Sequence, residues 1–267
     1  MNDIFLFWIA LAGYLVAIGL LLTSLKKDES LAVKGVWVVC AALALHTVSL
    51  GLRWQAAGHL PGNDLYELNS VGGWLTVAIY LWIQRQYPKF RGLGAVILLL
   101  TIGMMLYGIS KPHAIAPLSE EYQSGWFFVH ILSAFYAYGC YVIATSAGLL
   151  YLVRHYRGGP FSERLPSQEL LENLNGRLIG YGFCSHAIML TSGAIWANSA
   201  WGRYWGWDPV ETWSLITWLV YAFHLHARTF LHWKGQRLAW ISVVALITIV
   251  FTFWGVPHLP TQPGQPG

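Results

Sequence analysis

Residues 4–25 read IFLFWIALAGYLVAIGLLLTSL, twenty-two positions without a charged side chain. A helix of that length rises far enough, at about 1.5 Å per residue, to cross the roughly 30 Å of hydrocarbon in a bilayer. Seven more uncharged runs follow: Gly35–Leu52, Leu68–Gln84, Gly92–Ser110, Tyr122–Val153, Leu178–Gly202, Thr212–Ala227 and Leu238–Val256. Across all 267 residues 56% are hydrophobic and 10% charged, where a soluble domain carries about 25% charged. The expected fold is therefore all-α, a polytopic membrane bundle of about eight transmembrane helices. The first run has no basic lead and no small-residue cleavage site, and Lys26 and Lys27 follow it directly. It reads as a retained span rather than a cleaved signal.

The basic residues set an orientation, because Lys and Arg near span ends resist translocation. Thirteen of sixteen lie in alternate connections: Lys26, Lys27, Lys34; Arg85, Lys89, Arg91; Arg154, Arg157, Arg164, Arg177; and Arg228, Lys234, Arg237. The other connections hold only Arg53, Lys111 and Arg203, alongside Asp3, Asp64, Glu67, Glu120, Glu121, Asp208 and Glu211. Both termini are expected on this second, acidic side, the outer one. The net charge of +4 is thus spent on topology, and no basic run is dense enough for a phosphate track, so nucleic acid is excluded as a partner.

Cys40, Cys140 and Cys184 all fall inside apolar runs and read as small buried side chains. The chain has neither C-x-x-C nor C-x-x-C-H, so it carries no redox pair and no covalent heme of its own. No internal repeat and no soluble domain stand out, so residues 1–267 are expected to form one transmembrane domain with short connections. Residues 154–177 carry Glu163, Glu169 and Glu172 among leucines. They suggest either a short amphipathic helix on the inner surface or a solvated linker.

One outer connection has the composition of a site. Trp196, Trp201, Trp205, Trp207, Trp213 and Trp218 cluster in WANSAWGRYWGWDPVETWSLITW, residues 196–218. An aromatic belt would scatter tryptophans over many helix ends. This loop instead adds Arg203, Asp208 and Glu211 on a path set by glycine and proline, which suits a flat amphipathic ligand stacked on indole faces with polar groups for its carboxylates. Heme b, bound non-covalently as a substrate, meets that description.

The segment WGRYWGWDPVETWSLITWLVYAFHLHAR closely resembles the WWD signature of the cytochrome c assembly family, in the version of its CcsA (ResC) branch from the System II cytochrome c synthetase. PGNDLYELNSVGGW resembles the family's outer N-x-Y-E segment, and SGWFFVHILSAFYAYG its W-x-x-H helix start. The resemblance covers about residues 50–255, with the WWD loop at about 196–213. It implies a heme held between two outer histidines. His130 matches the first of these; His258 takes the place of the second, although this tail lacks the family's G-L-H-S-Y pattern and His258 arrives early. The alternatives are His113, a residue of a partner, or heme bound with one protein ligand. It further implies that His226 is the family's transmembrane heme ligand, paired with a residue from a CcsB (ResB)-like membrane subunit.

The implied function is heme transport and presentation for covalent attachment to an apocytochrome c bearing C-x-x-C-H, as a subunit of a holocytochrome c synthase. The setting is a bacterial cytoplasmic or thylakoid membrane, with thiol-reducing proteins as further partners. The alternative is a heme exporter or chaperone that hands heme to a separate ligation factor. The expected heme-contacting residues are Trp196, Trp201, Arg203, Trp205, Trp207, Asp208, Trp213 and Arg53, with the two arginines as propionate partners or headgroup contacts. Asp208 and Glu211 are also placed to cap the seventh helix. His46 and His186 are in-chain alternatives for heme in the membrane, or simple helix–helix hydrogen bonds. His224 points about 200° away from His226. His59, His113, His155 and His232 read as solvated surface residues.

Overall fold

The computed structural model describes residues 2–25, 29–157, 162–163 and 165–256. Among the described residues every regular element is a helix, as required where lipid offers the backbone no other hydrogen-bond partner. In chain order they are α1 (Asn2–Ser24), α2 (Glu29–Ala57), α3 (Leu65–Gln86), α4 (Gly94–Ile109), α5 (Gly125–Tyr156), α6 (Gln168–Trp201), α7 (Pro209–Thr229) and α8 (Gln236–Val250), the last prolonged by a π turn, Phe251–Gly255. Each covers one of the eight apolar runs. Helices α1, α2, α5, α6 and prolonged α8 are long and apolar enough to cross a membrane, and α4 is a shorter apolar helix. The chain is an all-α, multi-pass integral membrane protein.

Within residues 154–177, where the sequence suggests a short surface helix or a solvated linker, Gln168–Asn175 is the first part of α6, and residues 158–161 and 164 lie outside the described residues. Leu171 and Leu174 lie on one face of that helix and are buried, and no proline separates them from the span that follows.

Helices α1–α4 form one compact unit and α5–α8 a second. In unit 1 a small-residue contact brings α1 against α2: a Cβ on Gly13 would stand 2.9 Å from that of Ala42. Below it, the Tyr14 hydroxyl meets His46 Nδ1 at 3.3 Å, and His46 Nε2 meets Ser70 Oγ at 2.9 Å. His46 is therefore a helix–helix hydrogen bond joining α1, α2 and α3. In unit 2, Asn175 donates to the Ala144 carbonyl at 2.8 Å and to Ser242 Oγ at 3.0 Å, tying α6 to α5 and α8. Trp218 Nε1 donates to the Phe183 carbonyl, tying α7 to α6.

The loop end of unit 1 is closed by buried charge. Arg53, at the end of α2, is 2% exposed. Its Nε donates to Glu67 at 2.7 Å, one terminal nitrogen to Asp64 at 3.0 Å, and the other to the His113 carbonyl at 2.8 Å. Asp3 stands 3.6 Å from the same guanidinium. His59, expected to be solvated, straps two loops: its Nδ1 meets the Leu60 carbonyl and its Nε2 the Ala116 carbonyl, each at 3.0 Å.

The two units share one plan, which corrects the expectation of no internal repeat. Residues 62–85 and 206–229, 144 positions apart, both carry G-x-D-x-x-E-x-x-S-x-x-x-W-L-x-x-A-x-x-L. In both, an Asp (Asp64, Asp208) caps the helix by accepting from the backbone N–H of a Glu three residues on (Glu67, Glu211). That Glu then accepts from loop N–H groups, of Gly62 and Asn63 in unit 1 and of Gly206 in unit 2. Deeper in, a first-helix tyrosine meets a second-helix histidine in both: Tyr14 with His46, and Tyr141 with His186 at 3.5 Å. Eleven residues before each tyrosine stand Asp3 and His130. Both touch the residue three after the histidine: the Asp3 carbonyl accepts from Ser49 Oγ, and His130 Nδ1 meets the Met189 carbonyl.

Gly13→Val should force α1 from α2 and cost about 1–3 kcal/mol, the usual penalty of overpacking, read as a lowered Tm in detergent. The His59 strap should depend on pH. Burial opposes protonation of His59, but the Leu60 and Ala116 carbonyls outweigh it and raise its pKa, since only imidazolium donates from both nitrogens. Its contribution is therefore full below the unfolded value near 6.5 and is lost as pH rises through the higher folded value. The Tm difference between wild type and His59→Ala should shrink over that window; a constant difference contradicts the assignment.

Candidate functional site

The tryptophan cluster sits where α6 ends and α7 begins. Helix α6 runs on to Trp201, so Trp196 and Trp201 are one and a half turns apart on it, and their rings meet at 5.1 Å. Gly202, at φ +74°, turns the chain out of the helix, a conformation glycine adopts at no steric cost. Trp207 holds φ +57° and is 70% exposed. A bulky residue in that region is a strained outlier of the kind found at binding sites. The loop then enters α7 through the Asp208 cap, with Pro209 at its first turn.

His130 lies in the second turn of α5. Its ring stands 5.8 Å from that of Trp196, tilted by 33°, and Trp196 in turn meets Phe127 at 5.1 Å. The 2.9 Å contact from His130 Nδ1 to the Met189 carbonyl decides the tautomer. A carbonyl only accepts, so Nδ1 carries the hydrogen and the neutral ring presents its lone pair at Nε2. This is the arrangement that orients metal-ligating histidines. α6 approaches this ring closely at Gly193, where a Cβ would fall 2.6 Å from Nδ1.

The structure thus brings His130, Trp196 and Trp201 together. Trp205 and Trp207 form a second, edge-on pair at 5.7 Å, and Trp213 packs on Phe251 at 4.3 Å. Arg203 folds over Gly206, whose Cβ would lie 2.6 Å from the guanidinium carbon. Two indole N–H groups, Trp201 Nε1 and Trp205 Nε1, are buried without a hydrogen-bond acceptor. Burying a donor unpaired costs about 1–3 kcal/mol, so these two mark where an acceptor of a bound molecule or a water belongs. Among the described residues no three His, Cys, Asp or Glu side chains gather around a metal. A metal held by His130 must bring most of its own ligands, as iron in a porphyrin does.

Other expected residues are placed elsewhere. Arg53 lies in unit 1, its donors taken up by Glu67, Asp64 and the His113 carbonyl. Asp208 caps α7 through its side chain, accepting from Glu211 N at 2.9 Å. His226 is exposed and stacks on Phe230 at 5.1 Å, while His224 is fully buried, so the two do point to opposite sides of α7. His258 lies outside the described residues. His186 is fully buried, and its Nε2 has no hydrogen-bond partner. Gly193 carries no distinctive signal in the sequence, since the same helix also holds Gly176, Gly180 and Gly182.

A bundle of apolar helices in which His130 of α5 stands beside tryptophans at the end of α6 defines the class: a multi-pass membrane protein with an aromatic cluster at one end of unit 2. The chain belongs to the cytochrome c assembly protein family, whose model matches residues 14–262. It is 32% identical over 252 residues to the cytochrome c biogenesis protein CcsA of Chlamydomonas reinhardtii, covering 91% of this chain and 69% of that protein. To CcsA of Guillardia theta it is 32% identical, covering 88% and 85% of the two chains. To CcsA of Synechococcus sp. (strain CC9902) it is 31% identical, covering 91% and 89%.

Gly193→Val should push the His130 ring off the Met189 carbonyl. Loss of an orienting hydrogen bond costs about 10–100-fold in metal-site affinity, so any iron bound through His130 should be held more weakly by that factor, read by spectral titration with hemin. Unchanged affinity would show that Gly193 does not position His130.

Proposed function

We propose that this protein works in cytochrome c biogenesis by carrying heme b and presenting it at its outer face for covalent attachment to an apocytochrome c. The observation that carries the reading is the ring of His130 set beside Trp196, with its Nε2 lone pair available, next to two buried indole donors that lack acceptors. His130 is one axial iron ligand and His258 the second. The shared plan of the two units supports His258: it follows Glu211 by 47 residues, as His113 follows Glu67 by 46. His113 lines the loop-end cavity of unit 1.

In this reading His226 shares a heme with a residue of a CcsB (ResB)-like subunit, which its exposure beside Phe230 supports. Trp196, Trp201, Trp205, Trp207 and Trp213 hold the macrocycle, and Arg203 takes a propionate. The protein positions the reactants. Each cysteine S–H of the partner's C-x-x-C-H adds across a vinyl group, sulfur to one carbon and hydrogen to the other, with no net oxidation. Holding vinyl and thiol in register is the catalytic contribution, for which effective concentration suffices.

With the partner subunit co-purified, His130→Ala should shift the Soret band and slow thioether formation on a C-x-x-C-H peptide by about a hundredfold, the scale of a reactant displaced by an ångström. His226→Ala should lower the heme content of the purified complex. An unaltered spectrum and heme content in both variants would refute the ligand assignments. Heme release to a soluble acceptor without any thioether product would favour an exporter instead.

A further inference from the structure

Unit 1 has its own counterpart of the slot proposed for heme in unit 2. The register that carries His130 in unit 2 carries Asp3 in unit 1, and the register of His258 carries His113. Both unit 1 residues line one cavity of about 460 Å³, together with Phe5, Trp8, Arg53 and Ile115. Small-molecule sites occupy about 300–1,000 Å³ and combine an apolar wall with a few convergent polar groups. This cavity has both. Phe5 and Trp8 supply aromatic faces that are 66% and 46% exposed, and Ile115 an aliphatic one.

His113 is held like His130. Its Nδ1 meets the Lys111 carbonyl at 2.7 Å, so Nδ1 carries the hydrogen and Nε2 the lone pair. Its own backbone carbonyl accepts from Arg53 at 2.8 Å, and the Arg53 side chain is only 3% exposed. The buried ion cluster thus fixes the residue that carries the imidazole.

We infer that the loop-end cavity of unit 1 is a second iron-porphyrin site, with His113 as its one imidazole ligand. The inference rests on heme being the cargo of this protein, but it uses none of the tryptophan-loop residues. Because Asp3 stands where a second imidazole would be, iron here is high-spin, unlike iron held between two histidines in unit 2.

The test is hemin titration of the full chain in detergent, with heme counted per chain and spin state read by electron paramagnetic resonance. In a His226→Ala background, which removes the third proposed iron ligand, the chain should take two hemes, one of them high-spin. His113→Gly keeps the carbonyl that Arg53 needs; it should lose one heme and the high-spin signal, and added imidazole should restore both. His130→Ala should instead lose the low-spin signal. A high-spin signal and stoichiometry untouched by His113→Gly would overturn the inference, as would a loss that imidazole does not repair. If His130→Ala changes nothing while His113→Gly removes a heme, the loop assignment fails and this one stands. No specific uptake by wild type overturns both.

Discussion

Backbone amides have no water to bond with inside a bilayer, so each must find its partner within the chain. Among the described residues eight long helices satisfy most of that demand. The demand returns wherever the chain leaves helical geometry, and there carboxylates meet it. Asp64 and Glu67 in unit 1, and Asp208 and Glu211 in unit 2, accept the backbone N–H groups of the turn and the first helical residues. Without them the entries to α3 and α7 would leave donors unpaired at the membrane edge. Glu211 holds the backbone of the tryptophan loop by accepting from Gly206 N–H.

The same scaffold is finished differently in the two units. In unit 1 the second helix carries Arg53 seven residues after His46, and the guanidinium is matched by three acids. In unit 2 the residue seven after His186 is Gly193, which lets α6 close on His130. A buried cation requires paired acids and fixed geometry; a glycine requires nothing and admits a neighbour. One cap is thereby locked by charge, and the other is organised around an imidazole and rings with unmet hydrogen-bonding capacity. Strain at Trp207 belongs to the same picture, since a side chain held in the left-handed region persists only where its surroundings over-determine it.

The sequence by itself determined the solvent, the number of helices and the identity of the tryptophan loop, because these follow from composition and from residues close together in the chain. Uncharged runs long enough to span hydrocarbon, and a dense local motif, need no tertiary information. It also placed the Asp208 cap, since Asp followed by Pro and a Glu three residues after it is a local signal.

Tertiary structure decided what depends on residues distant in sequence. The sequence shows Arg53 only as one of two outer arginines, because Asp3, Asp64 and the His113 carbonyl approach it from three separate segments. His59 reads as a solvated residue in the sequence because its partner Ala116 lies 57 positions away. The repeat is faint in the sequence because its matches are polar punctuation in an apolar background and its registers drift from 144 to 140 to 127 residues between helices. Helix packing conserves depth and facing rather than spacing along the chain. Only in three dimensions do Tyr14 with His46, and Tyr141 with His186, stand as the same contact made twice.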